Sequence, residues 1–265
     1  RPAYNRVMLT QYFEDRDGHK GDSMKLSYWS ECQLKESSVK LVYGRAVEID
    51  RKAKQVVYTS PGGTDGPARL NYDVLVMATG SYCFVPPTPG MVLPERRNPQ
   101  WPDDPASRPA GVFVYRTIED LDALIAATER GAKSAAVIGG GLLGLEAAKA
   151  VYDLKLESHV LEMAPYLMPT QLNELGGQAL TRKIEALGIK VHAGVKILEV
   201  VLDSGRAVGI KVLEKGATEP VVIDVDLVVV SCGVRPRDEL AKACGLEIGS
   251  RGGVKVNGQL RSSDP

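Results

Sequence analysis

The sequence has few aromatic residues and no excess charge of either sign. Aromatic side chains make up 6% of its 265 residues, and 33 basic residues balance 33 acidic residues. A nucleic-acid groove needs a basic surface with aromatic side chains, and a membrane-surface helix needs a basic face. The composition therefore argues against nucleic-acid and membrane partners. The strongest apolar runs, 74–78 and 227–230, have the length of strands and are too short to span a bilayer.

Cysteine and histidine are also scarce, and their spacing forms no ligand motif. The four cysteines stand at 32, 83, 232 and 244, and the three histidines at 19, 159 and 192. No C-x-x-C pair is present, which argues against zinc, an iron–sulfur cluster or a dithiol relay held by this chain. We predict no metal site. Reduced thiols and the absence of a secretory or transit pattern favour a cytoplasmic protein.

The most informative segment is a glycine-rich turn between two apolar runs. The run 134–138 leads into Gly139-Gly-Gly-Leu-Leu-Gly144, a helix is expected from Leu142, and Glu162 follows after 162 − 144 = 18 positions. This is the order of a dinucleotide-binding βαβ unit, in which the glycines permit a sharp turn, backbone approach to a pyrophosphate and close helix packing. The helix N-terminus favours the pyrophosphate, and the acid accepts hydrogen bonds from a ribose. A purely structural turn is the alternative.

The rest of the sequence alternates between β and α patterns. A proline-rich loop over 86–110 carries 8 of the 16 prolines and is expected to be a surface excursion or hinge. Thr117 and the acids after it resemble a capping box, which predicts a helix to about Glu129. We predict a further helix over 171–187 and strands over 39–43, 45–50, 55–59, 72–78, 189–192, 195–202, 207–213, 225–230 and 251–256.

Two of these predicted strands end in small residues. The run 74–78 is followed by Thr79-Gly80, and the run 225–230 leads to Gly233. Small residues at the carboxyl end of a strand let a ligand approach the backbone in the crevice of a sheet. One segment precedes the dinucleotide unit and the other follows it, which indicates a second nucleotide site.

Together these motifs resemble the two-dinucleotide-binding flavoprotein reductases. The segments that carry the resemblance are Ala78-Thr-Gly80, Tyr115-Arg-Thr-Ile-Glu-Asp120, Val137-Ile-Gly-Gly-Gly-Leu-Leu-Gly-Leu-Glu146 and Gly233-Val-Arg-Pro236. Within that family, four further stretches resemble the large subunits of NAD(P)H-dependent nitrite reductases, and the proline-rich loop is typical of the fungal assimilatory form. These stretches are Tyr4–Thr10, Leu161–Met168, Gln171–Gly177 and Arg235–Ala241.

The resemblance implies an α/β, two-dinucleotide-binding flavoprotein fold. A parallel-sheet, Rossmann-like NAD(P)-binding domain over 113–235 is expected to be inserted in an FAD-binding domain formed by 1–112 and 236–265, with β-hairpin and β-meander additions. The family's first glycine-rich βαβ motif is expected before residue 1, and its last FAD contact after residue 265. We therefore expect an incomplete FAD domain and a fragment that is inactive by itself.

The resemblance also implies the cofactors and the residues that bind them. FAD and NAD(P)H carry the chemistry, so no side chain is expected to be catalytic. The expected FAD contacts are Arg6, Ala46 or Val47, Thr79 and Gly80. The expected NAD(P) contacts are Gly139, Gly141, Leu142, Leu143, Gly144, Glu146, Glu162 and Gly233.

Two of these positions leave alternatives open. Glu146 matches a family glutamate that orients the nicotinamide carboxamide, but from the residues alone it is equally well a carboxylate satisfied near the start of a helix. Glu162 repels a 2′-phosphate and favours NADH, whereas a charge such as Lys155 or Arg182 would compensate for it. We expect both coenzymes to be usable.

Departures from the family indicate an electron acceptor outside this chain. Gln11 stands where related ferredoxin reductases have lysine, and the segment 4–13 lacks the redox cysteine of disulfide reductases and NADH oxidases. The resemblance to nitrite reductases implies electron transfer to iron–sulfur and sirohaem domains of the same full-length polypeptide, with a homodimer as an open question. The alternatives are a stand-alone reductase of a ferredoxin or rubredoxin and a dinucleotide-binding module without catalysis.

Overall fold

The chain forms two compact units in the computed structural model. Unit one consists of Arg1–Ser30 and Cys83–Gly233, and unit two consists of Glu31–Tyr82 and Val234–Pro265. The assignment of FAD and NAD(P) to the three predicted domains stays a prediction. The structure describes residues 4–13, 38–60, 66–93, 95 and 104–264. The predicted positions His19 and Cys32, the side chain of Gln11, most of the turn 60–66 and the centre of the proline-rich loop lie outside the described residues.

The described strands and helices follow the order expected for alternating β and α segments. The strands are β1 (Arg45–Asp50), β2 (Gln55–Thr59), β3 (Pro67–Asn71), β4 (Ser81–Cys83), β5 (Val112–Val114), β6 (Ser134–Ile138), β7 (Glu157–Glu162), β8 (Lys190–Ala193), β9 (Lys196–Asp203), β10 (Arg206–Leu213), β11 (Val221–Asp224), β12 (Leu227–Val230) and β13 (Val234–Pro236). The helices are α1 (Ile118–Glu129), α2 (Leu142–Asp153), α3 (Glu174–Ala186) and α4 (Glu239–Ala243), and 3-10 helices span Arg6–Phe13 and Pro105–Ser107.

Unit one is built on a five-stranded parallel sheet in the order β5–β12–β6–β7–β8. The chain runs from β6 outward through β7 to β8 on one side, whereas β12 lies on the other side of β6. The strand order therefore changes direction at β6, and ligands of open α/β sheets bind at the carboxyl ends of the strands around such a point. The predicted α/β class with a parallel sheet is confirmed.

Alternate residues of this sheet enter two different cores. Val137, Val160 and Val229 are fully buried in the core that contains α1 and α2. Their neighbours Ile138 and Leu161 pack in a second core with the antiparallel sheet β11–β10–β9. Both faces of the sheet are therefore covered. This explains why its strands are apolar at nearly every position, as is usual in parallel sheets. Burying each such side chain stabilises the fold by roughly 1.5–3 kcal/mol.

The predicted capping box at the start of α1 is present. The Thr117 side chain accepts a hydrogen bond from the backbone N–H of Asp120, and the Asp120 carboxylate accepts one from the backbone N–H of Thr117 at 2.9 Å. Each end of the box satisfies a donor that the first helical turn leaves without an intrahelical partner. The helix ends at Glu129, as predicted.

Unit two contains the antiparallel sheet β1–β2–β3, and α4 packs against β1. The register between β1 and β2 shifts between Ala46 and Glu48, so Val47 lies in a β-bulge. Arg51 Nε donates to Asp264 Oδ1 at 2.8 Å, which ties the turn after β1 to the last described residues. β4 and β13 form a two-stranded sheet where the chain leaves and re-enters this unit.

Three predicted strands are wrong. Residues 72–78 form no strand, and Val74 and Val76 are 84% and 82% exposed. An apolar run forms a buried strand only where a neighbouring strand pairs with it. Among the described residues, no strand pairs with 72–78. Residues 39–43 have no regular structure, and 251–256 holds one isolated bridge, Ile248 to Val254. The sequence patterns missed β3, β4, β5, β11 and β13, which are strands of three to five residues and too short to show a clear apolar alternation.

The described residues contain no feature typical of a membrane span or a metal centre. None of their helices combines the length and hydropathy that crossing a bilayer requires. Within the same residues, no three side chains of histidine, cysteine, aspartate or glutamate come together as a ligand set.

Candidate functional site

The glycine turn lies at the carboxyl end of the central strand β6. Gly139 N donates to Leu161 O at 2.8 Å, and Ser231 N donates to Ile138 O at 2.9 Å. The turn is therefore fixed between the ends of β7 and β12, its two neighbours in the sheet. This is the edge and the strand at which the change in strand order predicts a ligand crevice.

Three glycines of the turn have different structural reasons to be glycine. Gly139 has a φ of +115°, a conformation that side chains rarely adopt, and a Cβ there would overlap the carbonyl of Ser231. A Cβ at Gly144 would overlap the carbonyl oxygen of Gly139, so the first turn of α2 packs directly on the loop. Gly141 has open space within 4 Å of its Cβ position. These are the geometries that a pyrophosphate cradle requires.

Helix α2 begins at this open position. Gly141 is the N-cap, and no side chain caps the helix there. The N–H groups of the first turn and the positive end of the helix dipole therefore suit an anion. Leu142 and Leu143 lie in that turn and are exposed, which leaves apolar surface beside the cradle.

Glu162 is hydrogen-bonded to the glycine turn itself. Its Oε2 accepts from Gly140 N at 2.6 Å, and its Oε1 accepts from Ala164 N at 2.7 Å. The carboxylate therefore stands at the end of β7 against the loop that follows β6, where a ribose would meet both. A carboxylate has about four acceptor positions, so ribose hydroxyls would still find acceptors on it.

A second glycine turn after β12 borders the first. A Cβ at Gly139 would lie 3.6 Å from Cys232 N, so the turns after β6 and β12 are in contact. Gly233 has a φ of +100° and open space around its Cβ position. Burial raises the pKa of the Cys232 thiol to about 11, and burial also raises that of Cys83. Both thiols stay protonated near neutral pH and are poor nucleophiles.

Tyr115 is buried, and Glu146, a half-buried residue of α2, acts on it electrostatically. Burial raises the pKa of Glu146, and burial together with the Glu146 charge raises the pKa of Tyr115. Tyr115 is 3% exposed, and its hydroxyl has no hydrogen-bond partner among the described residues. Neither predicted role of Glu146 is decided by this arrangement.

The predicted FAD contacts are distributed over both units. Ala46 and Val47 lie at the bulge of β1, and Thr79 and Gly80 precede β4, all in unit two. Thr79 Oγ1 donates to Arg237 O at 2.6 Å, and Arg237 N donates to Gly80 O at 2.9 Å.

The conformations at these positions leave backbone accessible in unit two. Gly80 has a φ of +72° and nothing within 4 Å of its Cβ position. The bulge residue Val47 is exposed and has no partner in the ladder between β1 and β2. Both are conditions for a ligand to approach the main chain. Arg6 lies in unit one, where its guanidinium is 6.0 Å from the centre of the Tyr4 ring.

No sequence pattern indicates the cavity that begins at the residue after Glu162. Met163, Pro165, Lys196 and Lys215 are among the residues that surround it. Its walls come from the segment after β7, from the paired ends of β9 and β10 and from the turn after β10, about 30 to 50 residues later in the chain. Such a juxtaposition depends on how the antiparallel sheet packs and leaves no local pattern in the sequence.

Comparison with known proteins places the chain among flavoprotein oxidoreductases. Residues 2–265 match the pyridine nucleotide-disulphide oxidoreductase family. A nitrite reductase (NADH) large subunit from Escherichia coli is 40% identical over 266 residues, which cover 100% of this chain and 28% of that protein. A nitrite reductase [NAD(P)H] from Emericella nidulans is 32% identical over 267 residues, which cover 98% of this chain and 22% of that protein.

A solved structure agrees with these sequence relatives. A ferredoxin reductase from Rhodopseudomonas palustris superposes with a TM-score of 0.79 at 28% identity, covering 100% of this chain and 57% of that one. The chain thus spans less than a third of these two nitrite reductases and just over half of the ferredoxin reductase. The predicted resemblance to the flavoprotein reductases and to nitrite reductase large subunits is confirmed.

Proposed function

Because this chain belongs to the pyridine nucleotide-disulphide oxidoreductase family, we propose that it is the part of an NAD(P)H-dependent nitrite reductase that takes hydride from NAD(P)H onto FAD. The observation that carries the proposal is the turn after β6. It has an open Gly141, an uncapped helix N-terminus and an acid at the end of the next strand. The likeness to nitrite reductases from a bacterium and a fungus supports the narrower assignment.

The residues of the turn would hold the coenzyme by its pyrophosphate and its ribose. Backbone N–H groups of the first turn of α2 bind the anion, and Gly141 gives it room. Glu162 accepts from the ribose hydroxyls while it keeps the loop in place through Gly140. Leu142, Leu143 and Gly233 exclude water near the reacting ring, and Glu146 orients its carboxamide.

The residues that resemble the family's FAD contacts would hold FAD. Backbone at Ala46 and Val47 meets the adenine, Thr79 and Gly80 lie along the nucleotide, and Arg6 supplies a positive charge for the pyrophosphate. When bound, the two cofactors supply the redox chemistry, a hydride leaving the nicotinamide for the flavin. The protein aligns the two rings and excludes water from them, and no side chain of this chain exchanges a proton in the step.

We assign the next acceptor to the same full-length polypeptide in the cytoplasm. Iron–sulfur and sirohaem domains there would receive the electrons and reduce nitrite to ammonium during nitrate assimilation. The pair of protonated thiols Cys83 and Cys232 supports an acceptor outside this chain, because neither offers a thiolate to the flavin. Whether two copies associate is a separate question for the purified protein.

A stand-alone reductase is the second candidate. The ferredoxin reductase from Rhodopseudomonas palustris shares 28% identity with the whole of this chain. In that case the reduced flavin would pass electrons to a separate small iron–sulfur protein. The two candidates share the hydride-transfer site and differ only in the acceptor.

The experiment uses the full-length polypeptide that contains this chain, loaded with FAD and kept anaerobic. We expect NADH to bleach the oxidised-flavin absorbance and added nitrite to restore it. Gly141→Ala should weaken NADH binding at least tenfold, since its Cβ fills the cradle. Gly258→Ala is the matched control, because it also has open space and lies in unit two. Restoration by a ferredoxin but not by nitrite would favour the second candidate, and no bleaching would leave only a binding module.

A further inference from the structure

A cavity of about 450 Å³ lies directly beyond the end of β7 in unit one. Met163 follows Glu162 in sequence and is 72% exposed, although its side chain is apolar. With Pro165 and Leu213 it forms the apolar part of the lining. A polarizable thioether beside a proline suits the flat face of an aromatic base. The remaining lining residues are Gly194, Lys196, Glu214, Lys215, Gly216 and Ala217.

The position of Lys215 is fixed by the turn between β10 and β11. Ala217 N donates to Glu214 O at 3.1 Å, and Gly216 has a φ of +85°. This is a β-turn of type II geometry, with Lys215 at its first central position and the required glycine at the second. The turn presents the lysine at its tip, at the end of the antiparallel sheet.

The stem of Lys215 lies over the segment that follows Glu162. Its Cβ and Cδ are 3.7 and 4.0 Å from the Cβ position of Gly194. Gly194 N in turn donates to Ala164 O at 2.8 Å. The exposed Lys196 begins β9, and its Cα pairs with that of Leu213, two residues before Lys215. Both lysines therefore line the cavity, which begins at the residue after Glu162.

Two lysines and one glutamate line the cavity, namely Lys196, Lys215 and Glu214. Glu162 immediately precedes the lining residue Met163 in sequence. Sites that accept a 2′-phosphate commonly carry an arginine near the acid, whereas the segment Met163-Ala-Pro165 has no basic residue. The basic residues of the cavity, Lys196 and Lys215, come instead from the antiparallel sheet and the turn after β10.

We propose that this cavity receives the adenosine end of the coenzyme and that Lys196 and Lys215 are the specificity-determining residues for NADPH. Their charges offset the repulsion between Glu162 and a 2′-phosphate, so that NADH and NADPH are both accepted. Lys155 and Arg182, the candidates from sequence alone, do not line the cavity. This inference rests on the proposed function, because it concerns the same coenzyme.

The experiment compares the binding of two ligands that differ only in the 2′-phosphate. NADH and NADPH are titrated anaerobically into the full-length polypeptide that contains this chain, with its flavin already reduced, and binding is followed by nicotinamide fluorescence in low salt. Lys196→Gln and Lys215→Gln should each lower the affinity for NADPH by about three- to tenfold and leave the affinity for NADH within about twofold of the wild-type value. Glu214→Gln should raise the affinity for NADPH by about two- to fivefold. Added salt should lower the affinity for NADPH more than the affinity for NADH.

Lys133→Gln is the matched control, because Lys133 is exposed at the amino end of β6, the edge of the sheet opposite the glycine turn. It should change neither affinity. The inference is overturned if the two lysine variants keep the wild-type NADPH affinity while NADH still binds, and the proposed function then stands. If neither coenzyme binds to the wild-type chain, the proposed coenzyme site falls and this inference with it.

Discussion

The carboxylate of Glu162 accepts a 2.6 Å hydrogen bond from the backbone N–H of Gly140. The bond joins the last residue of β7 to the middle of the glycine turn after β6. The side chain that we propose as the reader of the ribose therefore also holds the loop that would receive the pyrophosphate. Under that proposal, recognition of the sugar and the shape of the phosphate cradle would depend on one carboxylate.

Replacing Glu162 should affect folding and coenzyme choice together. Glu162→Ala leaves the N–H groups of Gly140 and Ala164 without their acceptor, which should lower the free energy of unfolding by about 1–3 kcal/mol. It also removes a negative charge next to the ribose, so the affinity for NADPH relative to NADH should rise. Urea unfolding and coenzyme titration measure the two effects separately.

The control for that variant lies at the other end of the same strand. Glu157 is the first residue of β7, is exposed and pairs with Lys190. Glu157→Ala should leave the free energy of unfolding nearly unchanged, because exposed ion pairs contribute little to stability, and it should leave the ratio of the two coenzyme affinities unchanged. If Glu162→Ala does not raise the affinity for NADPH relative to that for NADH, Glu162 does not read the ribose.

Alanine substitutions at two glycines of the turn should differ in their effect on stability. Gly144→Ala places a Cβ on the carbonyl oxygen of Gly139, so α2 must move and the free energy of unfolding should fall by about 2–4 kcal/mol. Gly141→Ala meets open space and should cost less than about 1 kcal/mol. Denaturation of both variants gives the comparison. Equal destabilisation would mean that the loop is not packed as described.

The buried hydroxyl of Tyr115 predicts an unusual result for a core substitution. Tyr115→Phe removes a buried polar group that has no partner among the described residues, so stability should stay the same or rise by up to about 1–2 kcal/mol. Tyr12 is the matched case, because its hydroxyl donates to Asp122 Oδ1 at 2.7 Å. Tyr12→Phe should cost about 1–2 kcal/mol. A comparable loss for Tyr115→Phe would show that its hydroxyl is satisfied in solution.

The sequence predicts the βαβ unit well because its determinants are local. A strand, a glycine turn and a helix start within 134–144 are each encoded by neighbouring residues, and β6, α2 and β7 lie where the pattern places them. The run 72–78 fails for the opposite reason, since its apolar residues become a strand only where a neighbour pairs with them. The hydrogen bond from Gly140 to Glu162 and the position of Lys215 depend on tertiary packing, which spacing does not encode.

A pair of histidines on adjacent strands makes the stability of unit one depend on pH. His159 Nδ1 lies 3.1 Å from His192 Nε2, and the two rings are stacked with an interplanar angle of 7°. Burial lowers the pKa of His159, although Glu157 opposes this. Burial and the nearby His159 lower the pKa of His192. The folded state therefore favours the neutral form of both imidazoles over the charged form.

Lowering the pH from 7.5 to 5 should destabilise the protein through this pair. Because the folded pKa values lie below the unfolded value of about 6.5, the unfolded state binds more protons, and stability present above pH 6.5 is lost as the pH falls. We therefore expect the free energy of unfolding measured in urea to fall over this range. The double variant His159→Gln with His192→Gln should flatten the profile. Glu157→Gln should steepen it, since that carboxylate favours the charged form of His159. An unchanged slope in the double variant would assign the acid sensitivity to other groups.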